Sequence, residues 1–316
     1  MIVTIESQAK PCPGVKRAVS LAEKLLRRND ILYSAGQLIH NRREIERLHG
    51  MGLREIGPVA LEELLKRKQF NGEYFLIRTH GETEGILKSV QNSSIQVVDA
   101  ICPIVRHSQD LIDQHIKEGW GIIIAGDKRH AEVMGLMART KSCGVVVSNI
   151  KEISTMEFED RSLLLAQTTI DPAFFSDVRM ALSKRLPGLK IVDTTCRFIR
   201  KRQIEVRDFC VEQDVFLLVG GYNSENCRLL YDTAFTVNKQ SYRIEEPKDL
   251  DKKWLKNCNR LGISGGASTP RWQLEEVMNY IDNYQAEKNP KGLENRKGGT
   301  FLWWMRKNHK MKKRRI

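Results

Sequence analysis

Three cysteines stand at nearly regular intervals in this chain: Cys12, then Cys102 after 90 residues, then Cys196 after 94 more. Thiolates are soft ligands. Three of them meeting at one point suit zinc or an iron–sulfur cluster, and spacing along the chain does not separate the two. A three-cysteine zinc site usually recruits a histidine and closes its tetrahedron. A four-iron cluster on three cysteines instead leaves one iron without a protein ligand. Such an iron can take a substrate oxygen as a Lewis acid and deliver electrons to it.

The cysteines mark a repeat. Val97-Val98-Asp99-Ala100-Ile101-Cys102 and Ile191-Val192-Asp193-Thr194-Thr195-Cys196 share one pattern of apolar strand, Asp, two small or β-branched residues and Cys, while Cys12 follows the alternating Ile2-Val3-Thr4-Ile5. Gly36, Gly126 and Gly220 each fall 24 residues past their unit's cysteine, at the end of an apolar run. Polar sets follow: His40-Asn41, His130-Ala131-Glu132 and Asn223-Ser224-Glu225-Asn226. A second strand in each unit leads to Arg78-Thr79-His80-Gly81, Gln167-Thr168-Thr169 and Gly265-Gly266-Ala267-Ser268. Agreement at three landmarks in three units indicates a divergent triplication. Cys143, Cys210, Cys227 and Cys258 have no equivalents in all three units and read as core or incidental residues.

The polar sets suit an anion. His40, His80 and His130 can offer imidazole N–H groups to phosphate oxygens, and Ser224, Asn226 and Ser268 add neutral hydrogen bonds. Glu132 does not fit a phosphate site by charge. Beside an iron-bound hydroxyl it could act as a general acid, with Thr168 hydrogen-bonding the same group. Each residue has a plainer reading too: histidines as loop or capping residues, Glu132 as a helix-start carboxylate, Ser268 as an N-cap before Pro270.

Periodicity supplies the elements that would position these groups. Residues 15–27, 105–117 and 203–213 read as helices between the strands. Alternating strands and helices predict α/β units with parallel sheets, whose ligands bind beyond the carboxyl ends of the strands. Three such units about a pseudo-threefold axis would bring the cysteines and polar sets to one centre. The expected boundaries are residues 13–101, 102–195, and 196–284 joined by 1–12.

Of the 316 residues 41% are hydrophobic, ample for a core of two domains or three small ones. No apolar run is long enough to span a membrane as a helix, and the start lacks the order of a signal peptide. The expected location is cytoplasmic, where seven cysteines are more often ligands, nucleophiles or core residues than disulfides. The net charge of +13 is concentrated in the tail, where residues 296–316 hold nine Lys or Arg and no acid. No GxGxxG follows a strand, so no flavin or nicotinamide fingerprint is visible.

Together these residues resemble the IspH/LytB family, the 4-hydroxy-3-methylbut-2-enyl diphosphate reductases, over residues 1–284. The resemblance rests on Cys12-Pro13-Gly14-Val15, Ile39-His40-Asn41, Thr79-His80-Gly81, Asp99-Ala100-Ile101-Cys102-Pro103 and His130-Ala131-Glu132-Val133. It continues through Gln167-Thr168-Thr169, Cys196 with Arg202-Gln203, Asn223-Ser224-Glu225-Asn226 and Gly265-Gly266-Ala267-Ser268. The family implies a trefoil of three small α/β domains around a central 4Fe-4S cluster with three Cys ligands and one open iron. It also implies reductive removal of the allylic hydroxyl of that diphosphate, the last step of non-mevalonate isoprenoid synthesis, with a ferredoxin or flavodoxin as electron donor. Carried over, Cys12, Cys102 and Cys196 would hold the cluster. Glu132, aided by Thr168 and His130, would supply the proton, and His40, His80, His130, Thr168, Ser224, Asn226 and Ser268 would hold the diphosphate substrate.

This chain departs from the family at Pro11, Pro13, Ala131 and the Arg197-Phe198-Ile199-Arg200 segment, and most sharply at Glu225, where the family pattern has serine. A carboxylate there would repel a diphosphate unless it turned outward or paired with a cation such as Arg197 or Arg228. A divergent paralogue, reducing or dehydrating another small anion, is the alternative reading. Residues 285–316 read as a flexible tail in which Phe301-Leu302-Trp303-Trp304 adjoins a basic run. Such a tail could contact RNA or an anionic membrane surface, and it motivates a third reading as a non-enzymatic binding protein.

Overall fold

The computed structural model describes residues 1–28, 30–66, 70 and 72–288. Twelve strands among these residues form three four-stranded sheets, and every pairing in them is parallel. Parallel strands are covered on both faces and so read as continuous apolar runs rather than alternating ones.

The first sheet contains β2 (Ile31–Ser34), β3 (Leu53–Glu55), β4 (Glu73–Ile77) and β5 (Gln96–Asp99), in the order β3-β2-β4-β5. Its helices are α1 (Pro13–Leu26), α2 (Arg42–His49), α3 (Pro58–Leu65) and α4 (Glu84–Gln91). The second sheet contains β6 (Gly121–Ala125), β7 (Gly144–Val147), β8 (Ser162–Ala166) and β9 (Lys190–Ile191), in the order β7-β6-β8-β9. The helices α5 (Pro103–Lys117), α6 (Ala131–Met137) and α7 (Pro172–Arg185) accompany it.

The third sheet contains β10 (Val215–Val219), β11 (Ser241–Ile244) and β12 (Arg260–Gly265), with α8 (Arg197–Val211), α9 (Glu225–Val237) and α10 (Arg271–Lys288). Its fourth strand comes from the start of the chain. β1 (Ile2–Ile5) pairs with β12, giving the order β1-β12-β10-β11. Read from the opposite edge, this order matches the other two sheets: one edge strand, two central strands, and then the strand that leads to a cysteine. The central strands β6, β8 and β10 are buried along their whole length.

Helix starts are set by local chemistry. Pro13 and Pro103 occupy the first helical position after Cys12 and Cys102, where a missing N–H costs nothing and φ is already helical. The expected start of the third such helix moves from residue 203 to Arg197, directly after Cys196. α10 continues through Lys288, four residues into the segment expected to be tail. The aromatic and basic stretch beyond lies outside the described residues. Among those residues no helix is long and apolar enough to cross a membrane.

A buried ion pair ties α8 to the end of β1. Arg202 donates to both carboxylate oxygens of Glu6, at 2.6 and 2.7 Å, and to Ser264 Oγ at 3.0 Å. Both side chains are at most 5% exposed, so removing one partner leaves a buried charge unpaired. Arg202→Ala is expected to destabilise the fold by about 3 kcal/mol or more, read as a lower urea midpoint with an unchanged slope.

Candidate active site

The carboxyl ends of nine strands supply the site residues. The strands that lead to cysteines, β1, β5 and β9, deliver Cys12, Cys102 and Cys196, each as the N-cap of the following helix. The first central strands β2, β6 and β10 lead to His40, to His130 and Glu132, and to Ser224–Asn226. The second central strands β4, β8 and β12 lead to His80, Thr168 and Ser268. All of these residues line a single pocket of about 730 Å³, including its open mouth.

The three cysteines line it together. Cys12 Sγ accepts from Val15 N at 3.4 Å. A Cβ on Gly14 would come within 2.9 Å of Cys102 Sγ, so only glycine lets α1 approach the second cysteine this closely. Cys196 packs with Ile199, Leu229 and Ala267, and Cys12, Ile104 and Phe198 lie against them. Burial, reinforced by Cys102 and Cys196, pushes the Cys12 thiol up to about 11. Burial raises the Cys196 thiol as well.

A trio of imidazoles stands in the same pocket. The His40 and His80 ring centres are 4.5 Å apart, and His130 is 5.4 Å from the first and 5.5 Å from the second. Burial, then His130 and Arg78, lowers His40 to about 4. His80 is held well below its ordinary value by burial first and then by His40, His130 and Arg78. His130 Nδ1 accepts from Glu132 N at 3.1 Å, so its neutral tautomer carries the proton on Nε2.

Glu132 is 1% exposed. Thr168 N reaches its Oε1 and Thr168 Oγ1 its Oε2, both at 2.6 Å. Burial raises its pKa against the lowering effects of His130 and Thr168, so it is a carboxyl biased toward holding a proton. The plainer reading of Glu132 as a solvated helix-start carboxylate does not survive.

Polar atoms without partners mark where a ligand is needed. Both ring nitrogens of His40 and both amide atoms of Asn226 are buried and make no hydrogen bond. Most buried polar groups are paired, so these four atoms indicate a polar ligand. Ser224 Oγ accepts from Cys227 N at 3.3 Å and keeps its own proton for donation. Ser268 differs: its Oγ donates to His40 O at 3.0 Å and would have to turn to serve an anion.

The family model described as LytB protein matches residues 3–282. The chain belongs to the LytB family. Within it, the 4-hydroxy-3-methylbut-2-enyl diphosphate reductase of Aquifex aeolicus is 33% identical, over 88% of this chain and 95% of that protein. The enzyme of the same name from Clostridioides difficile is 31% identical, over 90% of this chain and all of that protein. A solved structure of (E)-4-hydroxy-3-methyl-but-2-enyl diphosphate reductase, the terminal enzyme of the non-mevalonate pathway, superposes with TM-score 0.67. It shares 32% identity and covers 90% of this chain and all of that one. The Plasmodium falciparum reductase shares the fold at TM-score 0.79 and 23% identity, over 89% of this chain and 88% of that one.

The LytB chain's own departures find physical explanations. Pro13 fits the first turn of α1, as described above. Glu225 opens α9, and Arg228 Nε donates to its Oε2 at 3.0 Å while a second guanidinium nitrogen reaches Oε1. Arg228, and not Arg197, is therefore its partner. Arg78, named in the converging polar sets but given no role, acts electrostatically on His40 and His80 from outside the pocket lining and is clamped by Glu82 at 2.6–2.7 Å. Its position directly before Thr79-His80 was the available signal.

The donor set also bears on what the cysteines can hold. Among the described residues no three His, Cys, Asp or Glu side chains close on one point as ligands of a single metal ion. Cys12, Cys102 and Cys196 nevertheless line one pocket, and three thiolates are soft ligands of the kind that zinc or an iron–sulfur cluster takes.

The acid limb of stability follows from His40. Unfolded, it takes up a proton near 6.5; folded, it does so only near 4. The unfolded chain therefore binds more protons in that window, and stability falls as pH drops through it. An anion favours the charged imidazoles, so inorganic diphosphate is expected to raise the melting temperature more at pH 6 than at pH 8.

Proposed function

We propose that this protein is a 4-hydroxy-3-methylbut-2-enyl diphosphate reductase, forming isopentenyl and dimethylallyl diphosphate. The observation that carries this reading is the set of unpartnered buried atoms on His40 and Asn226, in one pocket with the hydrogen-bonded Glu132–Thr168 pair and three thiols. It rests also on relatives that bear that name over most of their length.

In this reading Cys12, Cys102 and Cys196 hold a 4Fe-4S cluster, leaving one iron open. Bound there, such a cluster would supply Lewis acidity toward the substrate hydroxyl and electrons drawn from a ferredoxin or flavodoxin class donor. Everything else falls to side chains. His130 offers Nε2–H to a phosphate oxygen, and Asn226 and Ser224 offer N–H and O–H donors. His40 and His80, neutral by burial, become better donors once a dianion enters and raises their proton affinity.

Glu132 acts as the acid. Thr168 Oγ1 donates to Glu132 Oε2 at 2.6 Å, a short contact along which a proton held by the carboxyl can be relayed to the departing oxygen. Carbon–oxygen cleavage then consumes two electrons and two protons and releases water. Glu225 does not oppose the anion, because Arg228 offsets its charge at the pocket rim, so the divergent-substrate reading gains no support from it.

The first assay uses anaerobically reconstituted protein, the allylic diphosphate and a reduced viologen dye. Glu132→Gln is expected to lower kcat by about a hundredfold or more, and Thr168→Val by less, with KM little changed. Turnover unaffected by Glu132→Gln would remove the proton-donor assignment. A second series isolates the rim. Arg228→Ala is expected to raise KM by about two- to fivefold, as befits a partly exposed ion pair. Glu225→Ser in that background should restore it. A KM indifferent to both would show the carboxylate to be remote from the anion.

A further inference from the structure

The three helices capped by the cysteines have a charge pattern that substrate binding does not use. None of α1, α5 and α8 carries an acid in its first turn. Basic residues stand there instead: Lys16 and Arg17 on α1, and Arg197, Arg200 and Lys201 on α8. The helix starts also meet, since Phe198, Ile104 and Cys12 pack into one cluster with Cys196. Positive helix ends and basic side chains thus surround the cysteines on this face.

Little of that charge is neutralised. Among the described residues Arg197 and Lys16 have no ion-pair partner, and both are exposed. Arg17 is exposed too and donates to two carbonyls, Asp99 O at 3.0 Å and Ile101 O at 3.3 Å, which leaves its charge unpaired. Lys201 touches Glu205 at 3.5 Å while staying 75% exposed. Arg200 alone is held closely, by Asp193 at 3.1 Å. About one turn beyond Arg200 and Lys201, α8 presents Ile204, which is 55% exposed. The three cysteines cap these same helix starts, and Cys12 and Cys102 are only partly buried.

We propose that this face, formed by the first two turns of α8 and the start of α1, docks a small acidic electron-transfer protein. It rests on the reductase reading above, in which electrons must come from outside the chain. In each encounter the reduced carrier gives up one electron and leaves oxidised. Two encounters and two protons convert the allylic alcohol to the hydrocarbon terminus and water. A cluster of exposed basic side chains beside an exposed aliphatic one suits a protein surface that is acidic with a small apolar patch. Stacking on nucleobases would call for aromatic side chains instead. Transient redox complexes are small and steered by charge, so their rates fall steeply with ionic strength.

The test compares two reductants on the full-length holoenzyme. Reduced acidic ferredoxin must dock, whereas a reduced viologen dye need not. Arg197→Glu with Lys201→Glu is expected to lower ferredoxin-driven kcat/KM by about tenfold or more while dye-driven turnover stays unchanged. Ferredoxin-driven rates of the unaltered protein should fall as salt rises. Equal losses with both reductants, or no loss with ferredoxin, would overturn the proposal. Titration with oxidised ferredoxin keeps the two readings apart. A protein that fails with the dye but binds ferredoxin through Arg197 and Lys201 would remove the reductase reading alone. Displacement of ferredoxin by single-stranded RNA or by anionic vesicles at equal charge would show a general polyanion surface and remove the carrier.

Discussion

One constraint organises the molecule: each of the three thiols must end a sheet-edge segment and start a helix at the same residue. As N-caps, Cys12, Cys102 and Cys196 sit at positive helix ends, which favour a thiolate or any anionic sulfur centre. As residues beyond strand ends, they lie on the side of each sheet where ligands collect. The two roles oppose burial, which holds Cys12 and Cys196 protonated. Binding any metal group on these sulfurs would therefore have to release their protons.

The same opposition governs the pocket above them. Burial lowers His40 and His80 and raises Glu132, so three groups that could be charged are biased to neutrality. A carboxyl that keeps its proton can give it, and imidazoles that lack theirs can regain them beside an anion. Arg78 adds positive charge at the histidines, and its clamp by Glu82 stops it from filling the site itself. The polarity of this pocket is thus stored in groups whose charge a ligand can recover.

Much of this was legible in the residues. The cysteine spacing, the glycines after each first strand and the polar sets all follow from a repeat of parallel units, and the three sheets share one strand order. The pairing of β1 with β12 was readable because Cys12 needed a strand before it, as the other cysteines had. Other features were not legible, for identifiable reasons. Gly14 matters only through its approach to Cys102, 88 residues away in the chain. Glu225 had two candidate cations, and helical geometry chose Arg228, one turn on, over Arg197 on another helix. Ser268 was expected to point at the ligand, yet its hydroxyl satisfies a backbone carbonyl that no local pattern reveals.

That carbonyl belongs to a wider junction. Asn41 and Gln273 exchange amide hydrogen bonds at 2.9 and 3.0 Å, Asn41 Nδ2 also reaches Ser268 O at 2.9 Å, and Trp272 Nε1 donates to Glu44 at 3.2 Å. These contacts join the segment after β2 to the start of α10, two regions more than two hundred residues apart. They pair the polar groups flanking His40 and leave its ring nitrogens as the ones without partners. A site that merely lacked hydrogen bonds would relax by filling them from its neighbours. Here the neighbours are already committed to each other, so His40 can satisfy its ring only by accepting something from outside.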